Sequence, residues 1–265
     1  GHRCRPGAGL VAHRPGHRRP DPGGDRGEHR GRADPAAQRD ARMTPDRAAA
    51  VILAAGYSDR MGRFKPLLPL GGRPLIAHGI DLFRRCGITA IHVVAGHRRE
   101  ELHPLLTAAG VDVGVNEDFP RGMFSSVRAG VGRLRADCRA FFVLPADIPL
   151  VRPATVQSLL DRFDDDRVAV AYPRFLDRRG HPPLIGRRLA PQILAGDGDG
   201  GLRALLARHE DAALDVPVAD RHILYDADTP SDYTSLQAAW PRRDIPDEAE
   251  CRAVMEICGP AAKRV

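Results

Sequence analysis

Three stretches of this chain carry side chains that handle phosphate and metal ions. The first is Leu53-Ala54-Ala55-Gly56-Tyr57-Ser58-Asp59-Arg60-Met61-Gly62-Arg63-Phe64-Lys65. Two cations, Arg60 and Lys65, and the Ser58 hydroxyl follow a run of small residues, which is a combination that suits a polyphosphate. Ala54, Ala55 and Gly56 let the backbone approach a ligand closely, Gly56 and Gly62 permit positive φ, and Lys65 reaches out as a point charge. The second stretch is Leu144-Pro145-Ala146-Asp147-Ile148-Pro149. A single carboxylate beside substrate phosphates is the kind of ligand magnesium uses, and the plainer alternative is that Asp147 caps a turn before Pro149. The third is Tyr225-Asp226-Ala227-Asp228-Thr229-Pro230-Ser231-Asp232. Here Thr229 reads as a helix cap with Pro230 in the first turn, so the carboxylates have a structural explanation of their own.

Other chemistries lack their residues. Gly62 is followed by Arg63-Phe64-Lys65-Pro66, so there is no GxxxxGK[ST] loop. The one literal GxGxxG, Gly196-Asp197-Gly198-Asp199-Gly200-Gly201, follows a helix-like segment rather than a strand, which argues against a dinucleotide fingerprint. Cys4, Cys86, Cys138, Cys251 and Cys258 form no CxxC pair and no zinc spacing, and their odd number suggests reduced thiols of a cytoplasmic protein. Cys86 and Cys138 sit beside apolar segments and read as packing residues. No Ser-His-Asp or Cys-His arrangement stands out.

The elements that must position these side chains alternate. Val51-Ile52-Leu53 is a short, branched apolar run, a buried strand ending at the first phosphate-type loop. Ile76 to Cys86 has helical spacing, stopped by Gly87. Ile91 to Ala95 is a strand, Arg99 to Ala108 a helix, Val111 to Val115 a strand and Met123 to Leu134 a helix. Ala140 to Leu144 is the most apolar strand and ends at Asp147's loop; Thr155 to Phe163 is a helix and Val168 to Tyr172 a strand. Repeated strand–helix units predict a doubly wound, mostly parallel sheet with helices on both faces, a three-layer α/β fold. Ligands of such sheets bind beyond the carboxyl ends of the strands, where these loops lie.

Charge adds little. The net charge is +6, but residues 1–42 hold ten Arg against five acidic residues, leaving +1 for the other 223. The basic balance therefore belongs to the tail and gives no support for a nucleic-acid partner. Eight Gly and five Pro among residues 1–42, with Leu10 and Val11 as the large aliphatics, predict a disordered arm over 1–45. Met43-Thr44-Pro45 reads as a natural start. At 43% hydrophobic the chain can bury a core, and no apolar run approaches a membrane span.

The ordered string LAAGYSDRMGRFKPLLPLGGRPL resembles the signature of the molybdenum cofactor cytidylyl- and guanylyltransferases, within the wider nucleotide-diphospho-sugar-transferase-like (Rossmann-like) fold. The resemblance spans about residues 49–239 and places a nucleotidyltransferase domain over 46–240. It implies that Leu53, Ala54, Ala55, Gly56, Ser58, Arg60, Gly62 and Lys65 bind the nucleotide, with Lys65, Arg60 and Asp147 as catalytic residues. It further implies Mg²⁺ on Asp147, in the family's Asp-x-Pro element, and on Asp228, in its Asp/Asn-Thr-Pro element, with Asp226 a rival. In Asn116 to Gly130, Gly122 and Ser126 match the segment that meets the base and sugar, although Ser125 or Ser126 would also serve as an N-cap. His181 matches a Gly-His-Pro element and Asp199 and Arg203 a Gly-Asp-x-Gly-x-Arg loop, both on the acceptor side.

The activity implied is transfer of a nucleotide from a nucleoside triphosphate to the phosphate of molybdopterin, with a molybdoenzyme or its chaperone as the protein partner. LAAG with KPLLPL is closer to the cytidylyl branch, because Phe64 stands where the guanylyl branch usually has Asp, so CTP is favoured over GTP. Two other readings keep the residues. One exchanges the acceptor for a sugar- or alcohol-phosphate; the other is a nucleotide-binding module without catalysis, against which the Lys65 and Asp147 pair weighs. Residues 241–265 resemble the opening of an HD-type metal phosphohydrolase domain. Their Ala253, Val254, Ile257 and Cys258 predict a short amphipathic helix, closed by Gly259 and Pro260, that could also simply dock.

Overall fold

Alternation along the first strand, β1 (Ala48–Ala54), decides the layering. The structure is a computed structural model and describes residues 43–259, so the basic arm expected over 1–45 lies almost wholly outside the described residues. Every residue of β1 is buried, yet its side chains divide between two cores. Ala48, Ala50, Ile52 and Ala54 belong to one, and Ala49, Val51 and Leu53 to the other. The same two-residue period splits β6 (Ala140–Pro145), where Phe142 and Leu144 face the first core and Phe141 and Val143 the second. A strand apolar on both faces needs cover on both, and helices supply it.

The first face is covered by α1 (Leu75–Arg85), α2 (Arg99–Ala109) and α4 (Pro153–Arg162). Ile76, Ile80 and Phe83 of α1 are fully or almost fully buried, each burial stabilising by about 1.5–3 kcal/mol. On the second face lie α3 (Met123–Val131), α5 (Ala190–Ala195) and α6 (Gly201–Ala207), through Phe124, Val127, Ile193, Leu205 and Leu206. Cys86 and Cys138 are buried packing residues, and burial pushes both thiols up to about 11, away from reactivity.

The remaining strands are β2 (Pro69–Leu70), β3 (Arg73–Pro74), β4 (Ala90–Ala95), β5 (Asp112–Val115), β7 (Val170–Phe175), β8 (Arg178–Arg179), β9 (Leu184–Gly186) and β10 (Ala213–Pro217). The large sheet runs β10-β7-β9-β6-β1-β4-β5, with β8 paired to β7; β2 and β3 form a separate hairpin. Pairs β1–β4, β4–β5, β1–β6 and β10–β7 are parallel, as the strand–helix alternation predicts. The exceptions are the two-residue β8, antiparallel to β7, and β9, which lies antiparallel between β6 and β7. Its three residues are too few to show a period, so this insertion has no signature in the sequence. The chain goes from β1 outward to β4 and β5, then returns to β6 on the other flank of β1. That reversal opens a crevice beyond the carboxyl ends of β1 and β6.

Two expectations need correction. Neither Ser125 nor Ser126 caps α3: Gly122 does, and both serines lie inside the first turn. The last helix, α8 (Glu248–Cys258), buries Glu250 and Ala253, while Val254, Met255, Ile257 and Cys258 of its apolar stripe are exposed. An ion pair turns the helix. Glu250 is fully buried, and its two oxygens lie 3.0 Å from the Arg152 guanidinium nitrogens. A charge buried this completely must meet its partner, and that requirement outweighs the weaker apolar stripe. Among the described residues no helix is long and apolar enough to cross a membrane.

Candidate active site

The crevice beyond β1 and β6 is a cleft of about 340 Å³. Its floor is backbone: Leu53, Ala54, Ala55 and Gly56 leaving β1, and Pro145, Ala146 and Asp147 leaving β6. The two exits are bonded together, Ala146 N donating to Leu53 O at 3.0 Å. Asp147 in turn fixes the third stretch, because Ala227 N donates to its carbonyl at 3.0 Å. Ala227 is fully buried, so its neighbour Asp228 is delivered to the cleft by the backbone. The helix after it, α7 (Pro230–Ala239), starts with a complete capping box between Thr229 and Asp232.

The loop after β1 folds around Ser58. This residue takes a left-handed conformation, φ 63°, and its carbonyl accepts from Met61 N at 3.1 Å and Gly62 N at 3.2 Å. Gly62 supplies the positive φ, 66°, that turns the chain back, whereas Gly56 does not use one. The Ser58 hydroxyl accepts from Lys65 N at 3.1 Å, which sets the start of the turn Lys65–Leu67 and keeps the hydroxyl proton available to a ligand.

That turn aims Lys65 between two carboxylates. Its Nζ donates to Asp147 Oδ2 at 3.0 Å and to Asp228 Oδ1 at 2.7 Å, and Arg60 lies 3.0 Å from the other Asp228 oxygen. Burial opposes the charge on Lys65, but the Asp228 and Asp147 carboxylates outweigh it and hold the ammonium above the ordinary lysine value. The Lys65 hydrogen bond and the charges of Lys65 and Arg60 hold Asp228 below the usual carboxylate range. Asp226 differs: loss of surrounding water, then the charges of Asp228 and Asp147, push its carboxyl up. Lys65 and Arg60 therefore single out Asp228 rather than Asp226. Two carboxylates, Asp147 and Asp228, converge on one half-buried and one exposed cation, and these hard oxygen donors fit a divalent ion of the magnesium type.

The opposite wall comes from Phe119, Pro120, Gly122, Met123 and Ser126. Asn116 holds it together, its Nδ2 donating to Ser125 Oγ at 2.8 Å and Ser126 Oγ at 2.9 Å. Tyr57 stands at the rim with its ring 5.2 Å from Phe119 and 5.0 Å from His97. Sequence reasoning did not select Tyr57, Phe119 or Met123; an aromatic inside a polar, glycine-bearing loop was the signal available.

Of the residues selected from sequence, Leu53, Ala54, Ala55, Gly56, Ser58, Arg60, Lys65, Gly122, Ser126, Asp147 and Asp228 all line this cleft. Gly62 shapes the loop from outside it. His181, Asp199 and Arg203 are not among the lining residues. His181 is half-buried, with its N donating to Ile223 O at 2.9 Å, and burial lowers its imidazole against the pull of Asp147. Asp199 and Arg203 are exposed, on a loop and helix packed behind Phe124.

A second cluster, Asp220, His222 and Glu250, brings possible ligand atoms within 4.8 Å of one another. Its two carboxylates are engaged by the protein itself. Asp220 Oδ2 accepts from Arg152 N at 2.8 Å and Thr155 Oγ1 at 2.7 Å, while Oδ1 accepts from His222 N at 3.1 Å and faces its Nδ1 at 3.3 Å. Glu250 accepts from Arg221 N and Asp247 N, both at 3.2 Å, besides its two contacts with Arg152. Three donors reach Asp220 and four reach Glu250, so the two carboxylates tie α8 to the rest of the domain, while both ring nitrogens of His222 are buried without a hydrogen-bond partner.

Comparison with known proteins follows this geometry. The profile of the MobA-like NTP transferase domain matches residues 50–213. The bifunctional protein GlmU of Chromohalobacter salexigens is 32% identical over 137 residues, which is 51% of this chain and 30% of that protein, so the chain matches less than a third of its length. Crystal structures of Rv0371c from Mycobacterium tuberculosis superpose with a TM-score of 0.66 at 28% identity, covering 74% of this chain and 100% of that one. A structure of Rv0371c in complex with manganese gives 0.63 at 26%, covering 73% and 98%. The molybdopterin-guanine dinucleotide biosynthesis protein A of Archaeoglobus fulgidus, 15% identical with a TM-score of 0.56 over 73% of this chain and 99% of its own, shares the fold.

Proposed function

Because the chain belongs to the MobA-like NTP transferase domain family and is a nucleotidyltransferase, we propose that it joins CTP to the phosphate of a molybdopterin-type acceptor. Pyrophosphate is the second product. The observation that carries this reading is Lys65, held at 3.0 and 2.7 Å between Asp147 and Asp228 at the end of a cleft floored by bare backbone. A phosphate-type cation and two metal-type carboxylates meet where a triphosphate would end.

In the reaction an acceptor phosphate oxygen attacks the α-phosphorus in line. One phosphorus–oxygen bond forms as the bond to the bridging oxygen breaks, and the electron pair leaves with pyrophosphate. No protein nucleophile is required. The residues of the chain position and neutralise: the Leu53–Gly56 backbone accepts the nucleoside end, the Ser58 hydroxyl donates to a phosphate, and Lys65 and Arg60 balance the charge that grows on the leaving oxygens. Asp147 and Asp228 would hold a divalent ion, magnesium in this reading, which when bound supplies further neutralisation of the phosphates. Manganese bound to the similar Rv0371c supports a divalent ion here. The choice of CTP rests on Phe64 before Lys65. Phe64 is buried, with Arg98 stacked 5.1 Å from its ring centre, so it packs rather than presenting the carboxylate of the guanylyl branch.

The test is pyrophosphate release by the purified protein with CTP or GTP. Each is assayed alone and with molybdopterin, a sugar phosphate or an alcohol phosphate. Release that needs both CTP and molybdopterin is expected. Release with a sugar or alcohol phosphate instead would move the acceptor, and none with any pair would leave a nucleotide-binding module.

A further inference from the structure

Lys65 and Asp228 are 163 positions apart in the chain, and their ion pair cannot by itself set their spacing. Once a triphosphate and a divalent ion draw on those charges, something independent of charge must keep the two stretches in place. A small third core does this. Met61, Leu68 and Leu70 from the Lys65 side, Leu150 from the Asp147 side, and Ala227, Tyr233 and Leu236 from the Asp228 side pack together with Leu75.

Two aromatic side chains of α7 and its exit complete that core. Tyr233, one turn into α7, donates its hydroxyl to the carbonyl of Pro69. Trp240, just beyond the other end of the helix, lies against the β2–β3 turn so closely that a Cβ on Gly71 would stand 2.1 Å from its Cε2. Gly71 also has φ +55°, so this position admits no other residue without strain. Trp240 is held from two further sides, by the His78 ring at 4.7 Å and the Arg243 guanidinium at 3.9 Å, and His78 Nε2 lies 3.0 Å from Leu70 O. Contacts at both ends of one rigid helix fix its position and its direction relative to the hairpin. The hairpin begins directly after the Lys65 turn, and the helix begins directly after Asp228, through the Thr229 capping box.

We propose that Trp240 and Tyr233 are positioning residues that clasp the Lys65 hairpin to the Asp228 helix and so hold the carboxylate pair at the spacing a divalent ion needs. Neither lines the cleft, so they act through Lys65 and Asp228 and touch no reacting atom. The inference rests on the nucleotidyltransferase reading, and its test is read by metal binding as well as by turnover.

The experiment compares Trp240→Ala, Trp240→Phe and Tyr233→Phe in the full chain, with Mn²⁺ as the probe. Free Mn²⁺ is followed by electron paramagnetic resonance, alongside pyrophosphate release. Trp240→Ala, at a temperature where circular dichroism shows it folded, should bind Mn²⁺ about 10-fold more weakly. Its kcat should fall by about 10²-fold, the cost of a displacement near 1 Å, with the KM for nucleotide almost unchanged. Trp240→Phe, which keeps a ring on Gly71, should restore most of both. Tyr233→Phe removes one hydroxyl, should remain folded, and should weaken Mn²⁺ binding in the same sense. Trp240 is the chain's single tryptophan, so its emission should also shift in Tyr233→Phe. A folded Trp240→Ala with wild-type Mn²⁺ binding and kcat would overturn the proposal. So would a uniform rise in KM with Mn²⁺ binding intact, which marks a merely structural role. If Trp240→Ala does not fold, wild-type Mn²⁺ binding by Tyr233→Phe overturns it. A wild-type protein that binds Mn²⁺ but releases no pyrophosphate overturns the reaction instead, and the resonance comparison alone then judges the clasp.

Discussion

Replacing Lys65 by Met keeps the volume and removes the charge, and the structure gives opposite signs for its two main effects. Lys65 makes two ion contacts, at 3.0 and 2.7 Å, with its side chain 13% exposed and those of Asp147 and Asp228 18% and 32% exposed. At an effective dielectric near 20, each such contact is worth about 5–6 kcal/mol gross, before desolvation is subtracted. The variant therefore leaves Asp147 and Asp228 without their shared ammonium, with the exposed Arg60 as the remaining cation of the cleft. A divalent ion no longer competes with an ammonium for those two carboxylates. Turnover should fall by about 10²–10³-fold, the cost of losing one preorganised charged donor. Mn²⁺ should nevertheless bind at least as tightly as to the wild type, and should raise the melting temperature by more, because an ion that binds the folded state stabilises it by mass action. Pyrophosphate release, calorimetric titration with Mn²⁺ and thermal melts with and without the ion read the three effects. Turnover within a few-fold of wild type would refute the assignment of Lys65. Lost Mn²⁺ binding together with lost turnover would refute the competition argument, since Lys65 would then be supporting the ion site rather than occupying it.

Two further outcomes follow from groups outside the cleft. Glu250→Ala should destabilise the protein by about 3–5 kcal/mol, because it leaves the largely buried Arg152 guanidinium without its carboxylate partner. Urea denaturation measures the loss. Asp112 accepts from Arg133 and, at 2.7 Å, from His92, and the Arg133 bond above all lowers its carboxyl from 3.8 to about 2. A depressed carboxylate contributes stability that is present above its ordinary value and disappears as the pH falls through the folded one. The urea midpoint should therefore drop between about pH 4 and about pH 2, and Asp112→Asn should flatten that part of the profile.

The order of strands and helices was readable because it is written in short periods. β4, β6 and the helices between them fall within a residue or two of their expected ends, except that α3 stops at Val131 rather than Leu134; β1 begins three residues before Val51, and the strand expected over Val168 to Tyr172 runs from Val170 to Phe175. The loop after β1 was readable for a local reason too: small residues, a serine and two cations at the end of an apolar strand have few other uses. Asp147 and the Thr229 cap were of the same kind. What the sequence could not tell was which distant groups meet. Asp226 and Asp228 have nearly the same local surroundings, and the bond from Ala227 to the Asp147 carbonyl is what sends Asp228 toward Lys65 and Arg60. The antiparallel β9, the clasp of Trp240 on Gly71, and the turning of α8 onto Glu250 likewise join residues far apart in the chain. Their energies come from packing and from pairing buried charges, neither of which leaves a period or a spacing in the sequence. By itself, then, the amino-acid order determined the layers and the small-residue loop that lines the cleft, because backbone periodicity and small side chains act locally. Only the folded structure decided which carboxylates share Lys65, because that depends on long-range contacts that bring separate stretches within bonding distance.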